Sequence, residues 1–215
     1  MEKRDIVVIG AGGLAKEVRW VIEECNKVNG KWNILGWVSK EESGTVIAGL
    51  PVLGDDDWLL GHASPIDVVV AVGSGSLRKK IATYLKQNKN ISFPQIIAQS
   101  AEISKYVKLG EGAVIMNKSI LTVDIEAGDF FLCNHGCTVG HDCRFDDYVT
   151  LNPGTHISGT VSIGECSSIG VGASVIQGVS IGRNTFIGAG AVVISDIGDN
   201  CTAVGVPAKP LEKKI

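Results

Sequence analysis

The sequence predicts an α/β N-terminal domain with a Rossmann-like βαβ arrangement over residues 1–95, followed by an all-β left-handed parallel β-helix over residues 96–215. Three observations predict this fold class: a glycine turn after an apolar run near the N-terminus, a six-residue apolar repeat through the second half, and a concentration of glycine after residue 100. Apolar residues accompany these glycines throughout, so the glycines indicate many tight turns rather than disorder.

The N-terminal region alternates between strand-like and helix-like patterns. An apolar run at its start predicts a buried strand, and a glycine turn then leads into a helical pattern. Strand, glycine turn and helix in this order are typical of a phosphate-binding βαβ unit. The predicted elements are a strand at 5–10, a helix at 14–27, strands at 33–38 and 67–72, and a helix at 77–88.

The ends of these strands form the predicted ligand edge of a short doubly wound sheet, at Gly10–Gly13, Ser39 and Gly73. Gly10-x-Gly12-x-x-Ala15 resembles the dinucleotide fingerprint, which would indicate a dehydrogenase. However, about 95 residues are too few for both halves of a dinucleotide fold, and the second strand ends in Ser39-Lys40 rather than in a ribose-binding acid. A site for one nucleotide or a nucleotide-linked sugar fits better, and a glycine turn without a ligand is the alternative.

The second half carries an apolar residue at every sixth position. Residues that lie six positions apart do not share one face of an α-helix, which has about 3.6 residues per turn. A triangular coil of three short strands instead places one residue of each hexad in its interior. Sixteen hexads predict about five coils. The main ladder consists of Ile103, Leu109, Ile115, Leu121, Ala127, Cys133, Val139, Phe145, Leu151, Ile157, Ile163, Ile169, Val175, Ile181, Ile187 and Val193. A second ladder of mostly small or β-branched residues lies two positions before each member of the first.

Because the ladders fill the interior, function is expected on the outside of the coils. His135 and His141 each lie two residues beyond a ladder position, so both side chains should point outward. His141 is followed by Asp142, whose carboxylate would raise the basicity of the imidazole and make it a general base. No metal site is predicted for His135, His141 and His156, because stacked ligands need separations of about 18 residues. The gaps here are six and fifteen residues.

The overall charge and the cysteines exclude several classes of protein. A net charge of -3 gives no general attraction to nucleic acid or to an anionic membrane, so neither is an expected partner. No long apolar run exists and the N-terminus enters the first strand without a secretory leader, which predicts a cytoplasmic location. The six cysteines show no metal-binding spacing and are expected to be free thiols, three of which (Cys133, Cys137 and Cys143) lie on the ladders.

Three motifs together carry a family resemblance that covers nearly the whole chain. They are Gly10-Ala-Gly-Gly-Leu-Ala-Lys-Glu-Val18, Asn134-His-Gly-Cys-Thr-Val-Gly-His-Asp-Cys143 and Val204-Gly-Val-Pro-Ala-Lys209. In this order, with the hexads between them, they resemble the sialic-acid O-acetyltransferase family, which includes bacterial N-acetyltransferases of nucleotide-linked 4-amino sugars such as the bacillosamine-pathway enzyme. The resemblance implies a homotrimer that uses acetyl-CoA as co-substrate, with acetyl-CoA in the groove between neighbouring β-helices.

The resemblance also implies roles for individual residues. His141 would be the catalytic base, Asp142 would orient it, and Asn134 would contact the acceptor. The nucleotide-sugar acceptor would further contact Gly12, Gly13, Leu14, Ser39, Lys40 and Gly73. Acetyl-CoA would contact Thr150, Gly159, Val171 and Ala189, largely through backbone groups. The chain departs from the amino-sugar enzyme at Leu14 and Thr150, where that enzyme has histidines, and at Ser39-Lys40, where it has acids.

The expected reaction is direct transfer of the acetyl group. The sugar amine adds to the thioester carbonyl while His141 accepts a proton and backbone N–H groups near Gly159 stabilise the oxyanion. The predicted function is therefore acetylation of the amino group of a nucleotide-linked amino sugar, of the 4-amino-4,6-dideoxy type, in bacterial surface-glycan biosynthesis. Two alternatives stay open: O-acetylation of sialic acid or another sugar, and a non-catalytic regulatory partner of a sugar synthase.

Overall fold

The computed structural model describes residues 3–40 and 43–211, and the outer limits of the two predicted domains, residues 1 and 215, lie outside this range. The N-terminal sheet is built from β1 (Arg4–Ile9), β2 (Trp32–Val38), β3 (Val46–Ile47), β4 (Leu50–Gly54), β5 (Ile66–Val70) and β6 (Ile91–Ser92). The strand order is β3-β4-β2-β1-β5-β6, and every pairing is parallel except the β3–β4 hairpin. The central position of β1, between β2 and β5, confirms the predicted Rossmann-like arrangement.

Helices cover both faces of this sheet. They are α1 (Gly13–Asn29), α2 (Asp56–Leu60) and α3 (Gly75–Leu85). α1 packs on one face through Val18 and Ile22, and α2 and α3 pack on the other through Leu59 and Leu85. The sequence pattern does not predict the hairpin or α2, because β3 has two residues and α2 has five, which is too short for a periodic signal.

Short parallel strands from Ile96 onward form the three faces of a triangular left-handed β-helix, as predicted. Face 1 contains β7 (Ile96–Ile97), β10 (Val114–Ile115), β13 (Leu132–Cys133), β16 (Thr150–Leu151), β19 (Ser168–Ile169), β22 (Phe186–Ile187) and β24 (Thr202–Val204). Face 2 contains β8 (Glu102–Ile103), β11 (Ile120–Leu121), β14 (Thr138–Val139), β17 (His156–Ile157), β20 (Ser174–Val175) and β23 (Val192–Val193). Face 3 contains β9 (Lys108–Leu109), β12 (Glu126–Ala127), β15 (Arg144–Phe145), β18 (Ser162–Ile163) and β21 (Ser180–Ile181).

The turns between the faces form three corners, which are named here by the coil around His141. The first corner joins face 1 to face 2 (residues 134–137), the second corner joins face 2 to face 3 (140–143), and the third corner joins face 3 to face 1 (146–149). Equivalent turns in the other coils stack on these at 18-residue intervals, because each strand pairs with the strand one coil further along.

The main ladder fills the interior of the β-helix. Ile115, Leu151 and Ile187 are completely buried, and Cys133, Cys137 and Cys143 are buried free thiols in the same core. Successive coils are joined by backbone hydrogen bonds. Within the described residues the strands of face 1 from β7 to β24 define six coils rather than the expected five or so, because pairing begins before the first clear hexad and continues after the last.

One apolar layer is shared between the two parts of the chain. Residues of α1 and of the N-terminal sheet belong to the same buried cluster as Ile96, Val114 and Leu132 of face 1. The division of the chain at residues 95 and 96 therefore stays a prediction, since the packing is continuous across it.

A short hairpin closes the C-terminal end of the β-helix. After β24 the chain turns back, and β25 (Lys209–Pro210) pairs with β24 in the antiparallel sense. No helix within the described part of the chain is both long enough and apolar enough to cross a membrane.

Candidate active site

The second corner carries an imidazole and a carboxylate in direct contact. Nδ1 of His141 lies 2.7 Å from Oδ2 of Asp142. The two side chains are 51% and 59% exposed, so a ligand can reach both of them. The backbone of Asp142 is left-handed, with a φ of 59°, a conformation that Asp and Asn adopt more readily than most residues. The corner therefore holds the carboxylate beside the preceding imidazole.

The carboxylate fixes the useful tautomer of the imidazole. Because Asp142 can only accept a hydrogen bond when it is ionised, the Nδ1 atom of His141 must carry the proton that it shares with that carboxylate. Nε2 of His141 is then the basic atom and can accept a proton from a substrate. This is the arrangement that a general base needs.

Gly159 lies against the imidazole from the next coil. A Cβ atom at this position would come within 2.5 Å of both Cε1 and Nε2 of His141, so the ring occupies space that any other residue would fill. The carbonyl of Gly159 accepts a hydrogen bond from the N–H of Gly178, whereas its own N–H has no partner within the described residues. An unpaired backbone donor thus lies in the residue that contacts the basic nitrogen.

The other two histidines of the β-helix are placed differently. Nε2 of His135 lies 3.6 Å from the Glu17 carboxylate, and its ring lies near the exposed indole of Trp20 on α1. Nδ1 of His156 is 2.9 Å from the Thr138 hydroxyl on face 2. No group of three or more His, Cys, Asp or Glu side chains within residues 3–40 and 43–211 is arranged to hold a metal ion.

Asn134 lies in the first corner and is largely buried. Its Oδ1 accepts a hydrogen bond from the N–H of His135 at 2.8 Å, and its backbone carbonyl accepts one from the Ser119 hydroxyl. The amide nitrogen of Asn134 has no protein partner in the described part of the chain. This side chain is therefore held in place by one end and keeps a donor for a ligand at the other.

A cavity of about 360 Å³ lies at the carboxyl ends of the N-terminal strands. It is lined by Gly10, Ser39, Lys40 and the consecutive acids Asp55–Asp57, with Tyr84 at one side. Burial and the flanking carboxylates raise the pKa of Asp56, while Asp57 accepts a hydrogen bond from the Tyr84 hydroxyl at 2.5 Å. The three acids were not among the predicted site residues, although three consecutive acids directly after a strand are a visible signal.

Gly12, Gly13 and Leu14 begin α1 beside this edge. Gly12 is the N-cap residue and has no side chain with which to cap the helix. A Cβ atom at Gly12 or Gly13 would meet nothing within 4 Å, so this helix start is open to solvent. The free N–H groups and the positive end of the helix dipole make it suited to an anion such as a phosphate.

Thr150 lies at the contact between the N-terminal domain and face 1. It is 1% exposed, and its hydroxyl donates to the carbonyl of Gly73 at 3.1 Å and accepts from Arg78 at 3.1 Å. These bonds leave no exposed side-chain atom for the predicted contact with acetyl-CoA. The Thr150 side chain thus belongs to the contact between the two domains, and the contact of this residue with acetyl-CoA, expected largely through backbone groups, stays a prediction.

The other predicted acetyl-CoA residues lie on two different corners. Gly159 belongs to the second corner, next to His141, whereas Val171 and Ala189 are exposed in the first corner, one coil apart. Face 2 separates these two corners within one chain. A single chain therefore does not bring the predicted set together in one groove.

Comparison with known proteins identifies relatives of the whole chain. The model of the PglD N-terminal domain matches residues 5–85. The GDP-perosamine N-acetyltransferase of Escherichia coli O157:H7 is 27% identical over 157 residues, which are 73% of this chain and 71% of that relative.

Two solved structures match over nearly their whole length. A histidine-to-asparagine variant of perosamine N-acetyltransferase from Caulobacter crescentus, in complex with CoA and GDP-perosamine, is 36% identical, with 97% of each chain covered and a TM-score of 0.89. The acetyltransferase domain of PglB from Neisseria gonorrhoeae FA1090, in complex with acetyl coenzyme A, is 36% identical, with 98% of this chain and 100% of that chain covered and a TM-score of 0.90.

The chain combines a Rossmann-like domain with a left-handed β-helix that carries an exposed His–Asp pair on one corner. Its relatives with this fold are acetyltransferases, so the chain is a hexapeptide-repeat acetyltransferase. Within that class, the chain belongs to the family of nucleotide-amino-sugar N-acetyltransferases, as the motifs predict.

Proposed function

We propose that this acetyltransferase moves the acetyl group of acetyl-CoA to the amino group of a nucleotide-linked 4-amino-4,6-dideoxy sugar, in the cytoplasm, as a step of bacterial surface-glycan biosynthesis. The observation that carries the proposal is the His141–Asp142 pair against Gly159, which supplies a base and an unpaired backbone donor at one point. The relatives support the substrate class, because two of them are perosamine N-acetyltransferases and one was solved with CoA and GDP-perosamine.

The proposed chemistry needs one base and one oxyanion donor. The lone pair of the sugar amine forms a C–N bond with the thioester carbonyl carbon, and Nε2 of His141 takes the proton that the nitrogen loses. The N–H of Gly159 donates to the oxyanion, and Asp142 keeps the imidazole oriented and stabilises the imidazolium. Collapse of the tetrahedral intermediate breaks the C–S bond, and the CoA thiolate recovers the proton from His141.

A homotrimer would complete the acetyl-CoA site. Gly159 and His141 lie on the second corner, whereas Val171 and Ala189 lie on the first. If the second corner of one copy faces the first corner of its neighbour, all four residues line one groove. We therefore propose that each of three equivalent sites is formed between two copies, so that the isolated chain lacks part of the donor site.

The acceptor would bind along the edge of the N-terminal sheet. The diphosphate fits the open start of α1 at Gly12, Gly13 and Leu14, and Lys40 adds a cation. The nucleobase of the acceptor would enter the cavity lined by Ser39, Lys40 and Asp55–Asp57. The sugar would extend past Gly73 towards Asn134, whose free amide N–H group can donate to a sugar hydroxyl.

The proposal is tested by release of free thiol from acetyl-CoA with GDP-, UDP-, dTDP- and CMP-linked 4-amino sugars and with free sialic acids. Turnover of a 4-amino nucleotide sugar into a product that resists mild hydroxylamine would support N-acetylation. A hydroxylamine-labile ester formed only from sialic acids would replace it with O-acetylation. No turnover across the panel would refute the proposal and favour the regulatory alternative.

A further inference from the structure

Arg78 is a buried cation with no acid beside it. It lies in the first turns of α3, is 2% exposed, and contacts no carboxylate in the described part of the chain. Burial lowers the pKa of its guanidinium to about 10, so it still carries its charge at neutral pH. A buried charge of this kind is stable only where polar groups surround it.

Six neutral oxygens surround this guanidinium, and together with it they are called the Arg78 junction below. Nε donates to the carbonyl of Phe130 at 2.9 Å, and Nη2 donates to the carbonyls of Tyr148 and Val149 at 2.8 and 3.2 Å. Nη2 also lies 3.1 Å from the Thr150 hydroxyl. These four acceptors belong to two successive coils of the β-helix.

The remaining acceptors belong to the loop after β5. Nη1 of Arg78 donates to the carbonyl of Val72 at 2.8 Å and to that of Gly73 at 3.2 Å, and the Thr150 hydroxyl donates to the same Gly73 carbonyl. One planar side chain therefore ties this loop to two coils. A lysine has its donors on a single atom and could not span these acceptors.

The same loop borders two cavities, one of which belongs to the proposed acceptor site. Val72 lines the cavity with Ser39 and Lys40, and Gly73 lines a second cavity of about 430 Å³ on face 1 with Asn152 and Phe186. The position of the loop thus fixes how the edge of the N-terminal sheet faces the β-helix, which presents the base and the acetyl donor.

We propose that Arg78 is a positioning residue for the nucleotide-sugar acceptor. It holds the Val72–Gly73 loop at a fixed distance from the β-helix, so that an acceptor bound at the sheet edge presents its amine at one place. The inference rests on the proposed function, because it concerns the binding of that acceptor. It assigns Arg78 no contact with the reacting atoms.

The test compares Arg78→Lys with wild type in steady-state kinetics against both substrates. We expect the KM for the nucleotide sugar to rise about tenfold or more, because small displacements of a bound substrate have large kinetic effects. The KM for acetyl-CoA should stay within about twofold, because Gly159, Val171 and Ala189 lie on the first and second corners and the Thr150 side chain in this junction is buried. A loss of folded protein alone would lower the apparent kcat and leave both KM values unchanged.

Arg4→Gln is the matched control. Arg4 forms an ion pair with the buried Asp67 of β5, at the opposite end of the same strands, so its loss weakens the sheet without touching the loop. Thr150→Val is a second variant that removes one acceptor of Arg78 and one donor to Gly73, and it should raise the acceptor KM by about two- to fivefold.

The outcomes separate this inference from the proposed function. If wild type acetylates a nucleotide sugar but Arg78→Lys and Thr150→Val show the same two KM values as Arg4→Gln, the positioning role is refuted and the proposed function stands. If Arg78→Lys does not fold, the result for Thr150→Val decides. If wild type itself acetylates nothing in the panel, the proposed function fails, and the positioning role fails with it.

Discussion

His141 and Asp142 on the second corner keep about half of their side-chain surface in solvent and bond to each other, whereas Arg78 is buried and bonds to six oxygens. Both places concentrate charge on the outside of the β-helix, but only the first leaves hydrogen-bonding capacity for another molecule. Unused hydrogen-bonding groups mark where chemistry can occur, whereas fully bonded groups mark where the fold is held together. Substitutions should therefore lower activity at the corner and stability or alignment at the junction.

His141→Ala should cause the greatest loss of activity. Removal of the base should lower kcat by about 10²–10⁴-fold, which is typical for a general base. The melting temperature should stay close to that of wild type, because the side chain is half exposed and buries little surface. Retention of more than about a tenth of the wild-type kcat would show that another group is the base.

The next effect is expected from Gly159→Ala, which adds one carbon against the imidazole. Because a Cβ atom there would lie within 2.5 Å of His141, the ring must move, and kcat should fall by about 10- to 100-fold. Gly198→Ala is the control, since a Cβ at that position meets nothing within 4 Å. Equal kcat values for the two variants would mean that the ring can move without loss of function.

A smaller loss is expected from Asp142→Asn. Asparagine also adopts the left-handed backbone that this residue requires, so the substitution removes the charge and leaves the corner intact. The neutral amide stabilises the imidazolium less well, and kcat should fall by about tenfold while the melting temperature is unchanged. A drop in melting temperature with unchanged kcat would place Asp142 with the structural groups instead.

The smallest effect is expected from Asp56→Asn, and it concerns stability. Asp56 lines the cavity at the sheet edge, is contacted by no donor in the described residues, and has a raised pKa because of burial and of Asp55 and Asp57. Its ionised form is thus less favourable in the folded state than in the unfolded state. The variant should melt slightly higher than wild type at pH 7.

The rise in melting temperature of Asp56→Asn over wild type should depend on pH. The gain in stability should be complete above the raised folded-state pKa of Asp56. It should disappear below the usual pKa of 3.8, where the carboxyl is neutral in both the folded and the unfolded state. Asp57→Asn is the comparison, because Asp57 accepts a hydrogen bond from Tyr84 and its substitution should give no gain. A gain for Asp56→Asn that persists at pH 3 would exclude a charge effect.

The sequence predicts the β-helix almost residue by residue, because the hexad rule is local and each ladder position follows from its neighbours. Leu151 and Ile169 are buried as their spacing requires, and His135 and His141 point outward. Arg78 carries no such signal. It stands in the run Leu77-Arg78-Lys79-Lys80, which is typical of an exposed helix, and only the packing of α3 against the β-helix buries it.

Thr150 is a second residue whose burial the sequence pattern does not predict. By position in the repeat it belongs to the outward residues of face 1, and resemblance alone places it beside the acyl donor. The N-terminal domain covers that part of face 1, which turns an outward residue into a buried one. Contacts between parts of the chain that lie about 70 residues apart have no local pattern, so sequence periodicity cannot reveal them.

The hairpin at the C-terminal end of the β-helix covers the free edge of the last strand of face 1. The last coil of a solenoid has no further coil to pair with, so an open end presents unpaired strand edges that accept a strand from another molecule. β25 reverses the chain direction there and places Pro210, which has no N–H group to donate, opposite Ala203. On face 1 the hairpin therefore opposes the end-to-end addition of a strand from another copy.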